Sequence, residues 1–409
     1  MKNICVVTAA RSEYGPLYPL LSKIRQDEKL DLKLIATGSH LSGEFGFTYR
    51  TIEKDGFKID RKIDMLLSSD TGAGISKSMG LALIGFADYF CENKPDMLIL
   101  LGDRYELLPI CSAAMNEMIP IAHISGGEIT EGAIDDSIRH AITKLSYLHF
   151  TANEEYRKRV IQLGESPERV FAFGELGLEN IFCQKLLSKQ ELENTLNECK
   201  ADKNYHVKTC NERAERKLKF SFDDPYALVT FHPVTLELES AKLQFKELLK
   251  AIDLMDINVI FTKSNADKGW RVINRLIDEY ANNNPEKCTA FENMGELNYL
   301  SAMKYCAMVL GNSSSGIWEA PSFGVPTVNI GDRQKGRVRA KTTLDCNPNF
   351  DDILKAMKRA MSKDFRDSIK GAINPYGGGN TSEKIISVIK DFLFSNKIDL
   401  KKKFWDIKF

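Results

Sequence analysis

Neither sign of charge is in excess: Lys plus Arg and Asp plus Glu each number 56, so the formal net charge is zero. That balance excludes an overall field drawing in nucleic acid or an anionic membrane, and leaves any anion site to local placement. No apolar run approaches the roughly 18 residues needed to span a bilayer. The N-terminus, MKNICVVTAARSEYG, carries one Lys and a short apolar run before Arg11, which reads as a first strand and not as a signal peptide. Paired cysteine motifs are missing too. The nine cysteines are scattered without CxxC spacing, an odd count that argues against a disulfide framework or zinc site and for a reducing, cytoplasmic compartment. GxGxxG does not occur, so a dinucleotide fingerprint is not supported. Internal repeats and low-complexity tracts are absent.

What is present is a chain of 409 residues with 43% hydrophobic content, enough for two or three globular domains. Short apolar runs alternate with longer helical patterns, the signature of a parallel α/β architecture. Strands are predicted at 3–9, 32–36, 96–101, 119–124, 148–152 and 170–174, and in a second series at 226–231, 259–262, 307–310 and 327–330. The run DMLILL at 96–101 is almost wholly apolar, as expected of a central strand buried on both faces. We expect a first Rossmann-like domain over 1–175, completed by the C-terminal segment 380–409, and a second over 176–379. The stretch 186–222 is highly charged, lacks a strand-like run and reads as a helical or partly mobile insertion.

The segment Gly311–Arg337, GNSSSGIWEAPSFGVPTVNIGDRQKGR, organises the second half. A buried strand ends at Gly311, and Asn312, Ser313, Ser314 and Ser315 then crowd hydroxyls and backbone N–H groups into one turn. A helix starting near Ser315 would add its positive dipole end, the arrangement that binds phosphate. Glu319, one turn on, is placed to accept hydrogen bonds from a ribose diol. Arg333, Lys335 and Arg337 bring positive charge toward the same anion. The plain alternative is a serine-rich turn capping an ordinary helix.

The other candidates also fall at strand ends, where ligands of doubly wound sheets bind. Arg11 sits in the first strand–helix turn. Asp103 ends the most apolar strand, where partial desolvation suits a general base; the rival reading is a helix cap. Glu128 ends the next strand, in HISGGE. Asp135 and Asp136 open a helix predicted over Ile134–Leu145, and one of the two is expected to be only a cap. His232 ends the first strand of the second series, placed to donate to a phosphate or a leaving oxygen. His123, inside an apolar strand, reads as structural, and His40, in a loop, is a weaker candidate. Lys263-Ser264-Asn265-Ala266-Asp267 is a nucleotide contact or an ordinary turn.

The pieces TAARSEYGPLYPLL, TGSHLSGEFG, LLGDRYELL, HISGGEITEGAIDDSIRHAITKLSYLHF, FHPVTLE, SNAD and the 311–337 segment together resemble the hydrolysing UDP-N-acetylglucosamine 2-epimerases, bacterial enzymes that begin sialic acid synthesis. The resemblance covers nearly the whole chain in family order. It implies the GT-B fold, with two Rossmann-like domains and the active site in the cleft between them, and a nucleotide sugar as substrate. Ser313 and Ser314 would lie at the UDP phosphates, Glu319 at the ribose, and Arg11, His232 and Arg333 would add phosphate contacts. Asp103, Glu128 and Asp135 match acidic positions assigned to catalysis. Two departures stand out: Ser125 replaces a catalytic Glu carried by some relatives, leaving Glu128 to take over, and Pro16 stands where non-hydrolysing relatives place a Lys. The implied chemistry is loss of UDP to give a 2-acetamidoglucal, then hydration with inversion at C2, yielding N-acetylmannosamine without nicotinamide or metal. A homodimer is implied as well. The rivals are the same chemistry on UDP-N,N'-diacetylbacillosamine in the legionaminic acid route, a non-hydrolysing epimerase, a GT-B glycosyltransferase and a nucleotide-sugar sensor.

Overall fold

The computed structural model describes residues 1–67, 69, 71–131, 134–198, 218–233, 238–263, 270–292, 294–395 and 397–407. The chain divides into two compact units. Unit 1 comprises Met1–Glu128, Ile134–Cys183 and Tyr376–Phe409; unit 2 comprises Ile129–Ala133 and Gln184–Pro375.

Unit 1 is built on β1 (Lys2–Thr8), β2 (Leu30–Thr37), β3 (Arg61–Ile63), β4 (Met97–Leu101), β5 (Ile121–Ile124), β6 (Leu148–Thr151) and β7 (Val170–Ala172). They form one parallel sheet in the order β3-β2-β1-β4-β5-β6-β7. Successive residues point to opposite faces. Ile4, Val6, Met97, Ile99 and Leu101 therefore meet one layer of side chains, while Cys5, Val7, Leu98 and Leu100 meet another. Burial of each large aliphatic side chain contributes about 1.5–3 kcal/mol, which is why MLILL tolerates no polar residue. The first layer includes Leu17, Leu20, Leu21 and Ile24 of helix Arg11–Gln26, packed with Ile385, Ile386, Ile389 and Leu393 of helix Thr381–Phe394. Glu179 fastens that last helix by accepting from Ser382 N (2.8 Å) and Ser382 Oγ (2.7 Å). Beyond it, Lys402 Nζ donates to both carboxylate oxygens of buried Glu165 at 3.0 Å.

Unit 2 carries β8 (Tyr226–Thr230), β9 (Asn258–Thr262), β10 (Cys288–Phe291), β11 (Met308–Gly311), β12 (Thr327–Ile330) and β13 (Thr343–Cys346), again parallel, in the order β10-β9-β8-β11-β12-β13. Of the expected insertion, helix Lys189–Glu198 buries Leu192 and Leu196 against Phe220, Phe222 and Tyr226, and 199–217 lie outside the described residues. Strands β3, β10 and β13 are additions to the sequence reading. Each lies at a sheet edge or is only three or four residues long, so no sustained apolar run announces it. Among the described residues no helix is long and apolar enough to cross a membrane.

Candidate active site

Both sheets reverse strand order beside their first strand, at β1/β4 in unit 1 and at β8/β11 in unit 2. Such a reversal opens a crevice at the carboxyl ends of the strands, the usual ligand seat of this architecture. Arg11 and Asp103 follow β1 and β4; His232 and Asn312 follow β8 and β11. Glu128 lies beyond β5, one strand further out.

In unit 1 the organising side chain is Arg139, on helix Ile134–Leu145 and only 1% exposed. Its Nη2 donates to Asp103 Oδ2, and its Nη1 to the Glu128 carbonyl (2.9 Å) and Asp136 Oδ1 (3.3 Å). A planar guanidinium presents several donors in a fixed fork, so one buried Arg can tie three chain segments together where a Lys could not. Asp136 also lies 3.5 Å from His140 Nε2. It is therefore Asp136 that the fork draws in, while Asp135 is half-buried on the same first turn. His123 sits behind the cluster as a structural residue, its ring nitrogens 2.8 Å from the Gly102 carbonyl and 3.2 Å from Thr143 Oγ1. Burial pushes its imidazole down to about 3, so it is neutral and Nε2–H steadies the residue before Asp103. His40 is likewise buried, held by Thr8 Oγ1 (3.0 Å) and Thr48 Oγ1 (2.7 Å). Among the described residues no group of three or more His, Cys, Asp and Glu side chains is placed to hold a metal ion.

In the first strand–helix turn, the backbone N–H groups just before Arg11 are already bonded. Glu13 Oε2 accepts from Ala9 N (2.6 Å) and Ala10 N (3.2 Å), so a side chain of the protein already occupies that anion seat. Arg11 itself is exposed. Burial raises the Glu13 carboxyl from near 4.5 to about 8, with Arg104 opposing and Glu106 adding to the shift. Because the folded value lies above the unfolded one, this group's stabilisation is complete below about pH 4.5 and is lost as pH rises through about 8. Melting temperature should therefore fall between pH 5 and pH 8 by more in the wild type than in Glu13→Gln; equal slopes would contradict the assignment.

In unit 2, Asn312 joins the two strand ends that flank the crevice. Its Oδ1 accepts from His232 N (2.7 Å) and its Nδ2 donates to His232 O (2.8 Å). Its own carbonyl accepts from Arg333 Nη1 (3.1 Å) and Gln334 Nε2 (2.9 Å). Gly311 permits this approach: at φ +131, a Cβ there would sit 2.0 Å from the Thr230 carbonyl. Ser313 is set by Ser315, whose Oγ donates to Ser313 Oγ at 3.0 Å, while Tyr299 Oη lies 2.6 Å from Ser315 Oγ. Asn312→Ala would remove both side-chain hydrogen bonds to the His232 backbone, at about 1 kcal/mol or more each. We expect a melting temperature lower than wild type by scanning calorimetry; an unchanged one would show that the clasp adds nothing to the fold.

The expected helix at Ser315 is a single turn, Ser315–Trp318, followed by a 3-10 turn at Ala320–Phe323. Pro321 has no N–H to donate and its ring clashes with the carbonyl four residues back, so the α-helix stops. Four residues build little macrodipole, and an anion here would rest on hydroxyls, local N–H groups and Arg333. Glu319 follows the turn, half-buried, and Ser314 lies at its start. The basic run splits: Arg333 turns to Asn312, Lys335 pairs with Glu131 at 3.0 Å, and Arg337 lies over the Trp318 ring at 4.5 Å. Lys335 and Arg337 are thus engaged elsewhere in unit 2. Lys263 forms an ion pair with Asp278 at 2.8 Å; Ser264, Asn265, Ala266 and Asp267 lie outside the described residues.

Sequence reasoning did not single out Arg139, Glu175, Gln334 or Tyr299 as site residues. Arg139 alone carried a signal, since it falls one helical turn after Asp135 and Asp136.

A family model described as UDP-N-acetylglucosamine 2-epimerase matches residues 22–390. A Campylobacter jejuni protein described as GDP/UDP-N,N'-diacetylbacillosamine 2-epimerase (hydrolyzing) is 43% identical over 98% of this chain and 99% of its own. An Escherichia coli protein described as polysialic acid biosynthesis protein P7 is 38% identical over 100% of this chain and 98% of its own. A Legionella pneumophila UDP-N,N'-diacetylbacillosamine 2-epimerase (hydrolyzing) is 32% identical over 97% and 98%. The solved structure of UDP-GlcNAc 2-epimerase from Neisseria meningitidis, bound to UDP-GlcNAc, shares the fold with a TM-score of 0.75 at 16% identity, covering 95% of this chain and 99% of that one. The two Rossmann-like sheets are thus those of the GT-B class. Matched by that model over most of its length and by relatives over nearly all of it, this chain belongs to the UDP-N-acetylglucosamine 2-epimerase family.

Proposed function

We propose that this protein is a hydrolysing 2-epimerase whose substrate is UDP-N,N'-diacetylbacillosamine, and that it releases the free 2-epimeric sugar and UDP. The observation that carries the reaction class is the Arg139 fork at the strand ends of unit 1, which holds the Asp103 carboxylate beside the reversal point of the sheet and the Glu128 backbone carbonyl one strand further out. The choice of sugar is supported by the names of the relatives at 43% and 32% identity. It replaces UDP-N-acetylglucosamine, the substrate first suggested by motif resemblance. That sugar and the sialic acid route stand as the second reading, favoured by the relative named for polysialic acid biosynthesis.

In this reading Ser313, Ser314, Arg333 and His232 hold the diphosphate of the leaving UDP, Glu319 takes the ribose, and Arg11 adds a phosphate contact. Departure of UDP builds positive charge at C1, which acidifies the C2 proton. Asp103, beside Arg139, removes that proton and leaves a C1=C2 glycal. Water then adds to C1 while C2 takes a proton on its opposite face from Glu128 or Asp135. Inversion at C2 needs acid–base groups on both sides of the ring, so one carboxylate does not suffice.

Incubation with each UDP-sugar in deuterated water tests both parts. Deuterium at C2 of a released 2-epimer, formed faster from the diacetylbacillosamine nucleotide, supports the proposal. Faster turnover of UDP-N-acetylglucosamine transfers it to the second sugar. Return of an intact UDP-2-epimer overturns the hydrolysing class. We further propose a homodimer, supported by exposed Leu81, Leu83 and Ile84 on helix Gly72–Glu92 and exposed Met115 and Met118; light scattering at monomer mass would refute it.

A further inference from the structure

Glu175 lies just after β7, the edge strand of the unit 1 sheet, yet its side chain reaches across β6 to the end of β5. There Ser125 Oγ donates to Glu175 Oε2 at 3.0 Å and to Oε1 at 3.3 Å, a pair separated by 50 residues. We infer that Ser125 and Glu175 form a proton relay that activates the water in the second half-reaction, Glu175 acting as the positioning residue behind the hydroxyl. The inference rests on the hydrolysing epimerase reading and names the group responsible for hydrolysis.

Three observations carry it. First, the pair is buried, with Glu175 5% and Ser125 8% exposed. Burying a carboxylate is costly unless it is hydrogen-bonded, and a neutral side chain would fill the same space at less cost. Second, Ser125 has φ +63 in a chain that continues Gly126-Gly127. Left-handed backbone costs a non-glycine residue about 1 kcal/mol or more. Glycine occupies the next two positions, yet at this strained one the sequence retains a hydroxyl. Third, the pair stands beside the proposed base. Ile124 pairs with Leu101 and Gly102 N donates to Ile124 O at 3.0 Å, so Ser125 lies across from Gly102, one strand spacing of about 4.8 Å from the chain that continues into Asp103. The Glu175 backbone is itself anchored, its N–H donating to Tyr376 O at 2.8 Å, with Tyr376 Oη 2.9 Å from Tyr156 Oη.

The step balances. Water oxygen bonds to C1 of the glycal, the C1=C2 electron pair takes a proton at C2 from the acid on the other face, and the water gives one proton to Ser125 Oγ. Ser125 passes its own proton to Glu175, which later returns it to solvent.

The test is the ratio of free sugar to released UDP, with the glycal measured directly by mass spectrometry. In Glu175→Gln we expect UDP release within about threefold of wild type, while the sugar-to-UDP ratio drops at least tenfold and glycal accumulates. Ser125→Gly relieves the left-handed strain, so it should fold at least as well and still show the same stall. Glu175→Asp should recover part of the ratio. A wild-type ratio in Glu175→Gln or Ser125→Gly, or a parallel fall of UDP release and sugar formation, overturns the relay. If wild-type protein releases no UDP from either nucleotide sugar, the epimerase reading itself fails instead.

Discussion

Asp103→Asn is expected to lower kcat by about 10²–10⁴-fold while UDP affinity stays within about twofold of wild type. Asparagine keeps the shape and one acceptor oxygen for Arg139, but it takes up no proton at C2. Apart from Arg11, the residues proposed to hold UDP belong to unit 2, whereas Asp103 belongs to unit 1, so loss of chemistry at Asp103 should leave most UDP contacts in place. Deuterium exchange into C2 should vanish along with turnover. The substitution also removes the charge opposite Arg139 Nη2, so a loss of about 1–3 kcal/mol of stability is expected; assays belong well below the variant's melting temperature. If UDP binding weakens as much as kcat falls, Asp103 is not the base.

Arg139→Met should have the larger structural effect. The guanidinium serves Asp103, Asp136 and the Glu128 carbonyl from a position 1% exposed. Removing it strips the counter-charge from Asp103 and Asp136, whose side chains are 26% and 29% exposed and keep part of their hydration. The cost should therefore fall at or below the low end of the roughly 3–5 kcal/mol of a fully buried pair, about 2–3 kcal/mol, which in a unit of this size corresponds to a fall of roughly 5–10 °C in melting temperature. Turnover should drop at least a hundredfold because the strand-end loops carrying Asp103 and Glu128 lose their common anchor. Arg139→Lys keeps the charge and loses the fork, and we expect it to recover less than half of the lost stability. A lysine variant indistinguishable from wild type would show that charge alone matters and that the three-way geometry does not.

Much of this protein was legible before any coordinates. The alternation of apolar runs with helical periodicity marks parallel strands and covering helices, because a strand buried on both faces admits almost no polar residue, as β4 shows. A polar residue directly after such a run must stand at the sheet's carboxyl edge. Local pattern thus placed Asp103, Glu128, His232 and Asn312 at strand ends. What it could not supply was strand order, and strand order decides which ends adjoin. The reversal at β1/β4 and β8/β11 sets the strands that lead into Arg11 and Asp103 side by side and lets Asn312 clasp His232 across 80 residues. Edge strands such as β3 and β13 were missed because pairing on one side demands little of their own sequence. The helix at Ser315 closes after one turn because Pro321 cannot continue it.

Residue types and their spacing along the chain therefore determined the central strands, the polar residues that follow them and the family. Tertiary structure alone decided which charges answer each other: Asp136 in the fork of Arg139, Glu13 in the turn beside Arg11, Glu175 behind Ser125. Burial periodicity is a local property, written into every few residues. A contact across 50 residues depends on the register and order of strands in between, which no single stretch encodes.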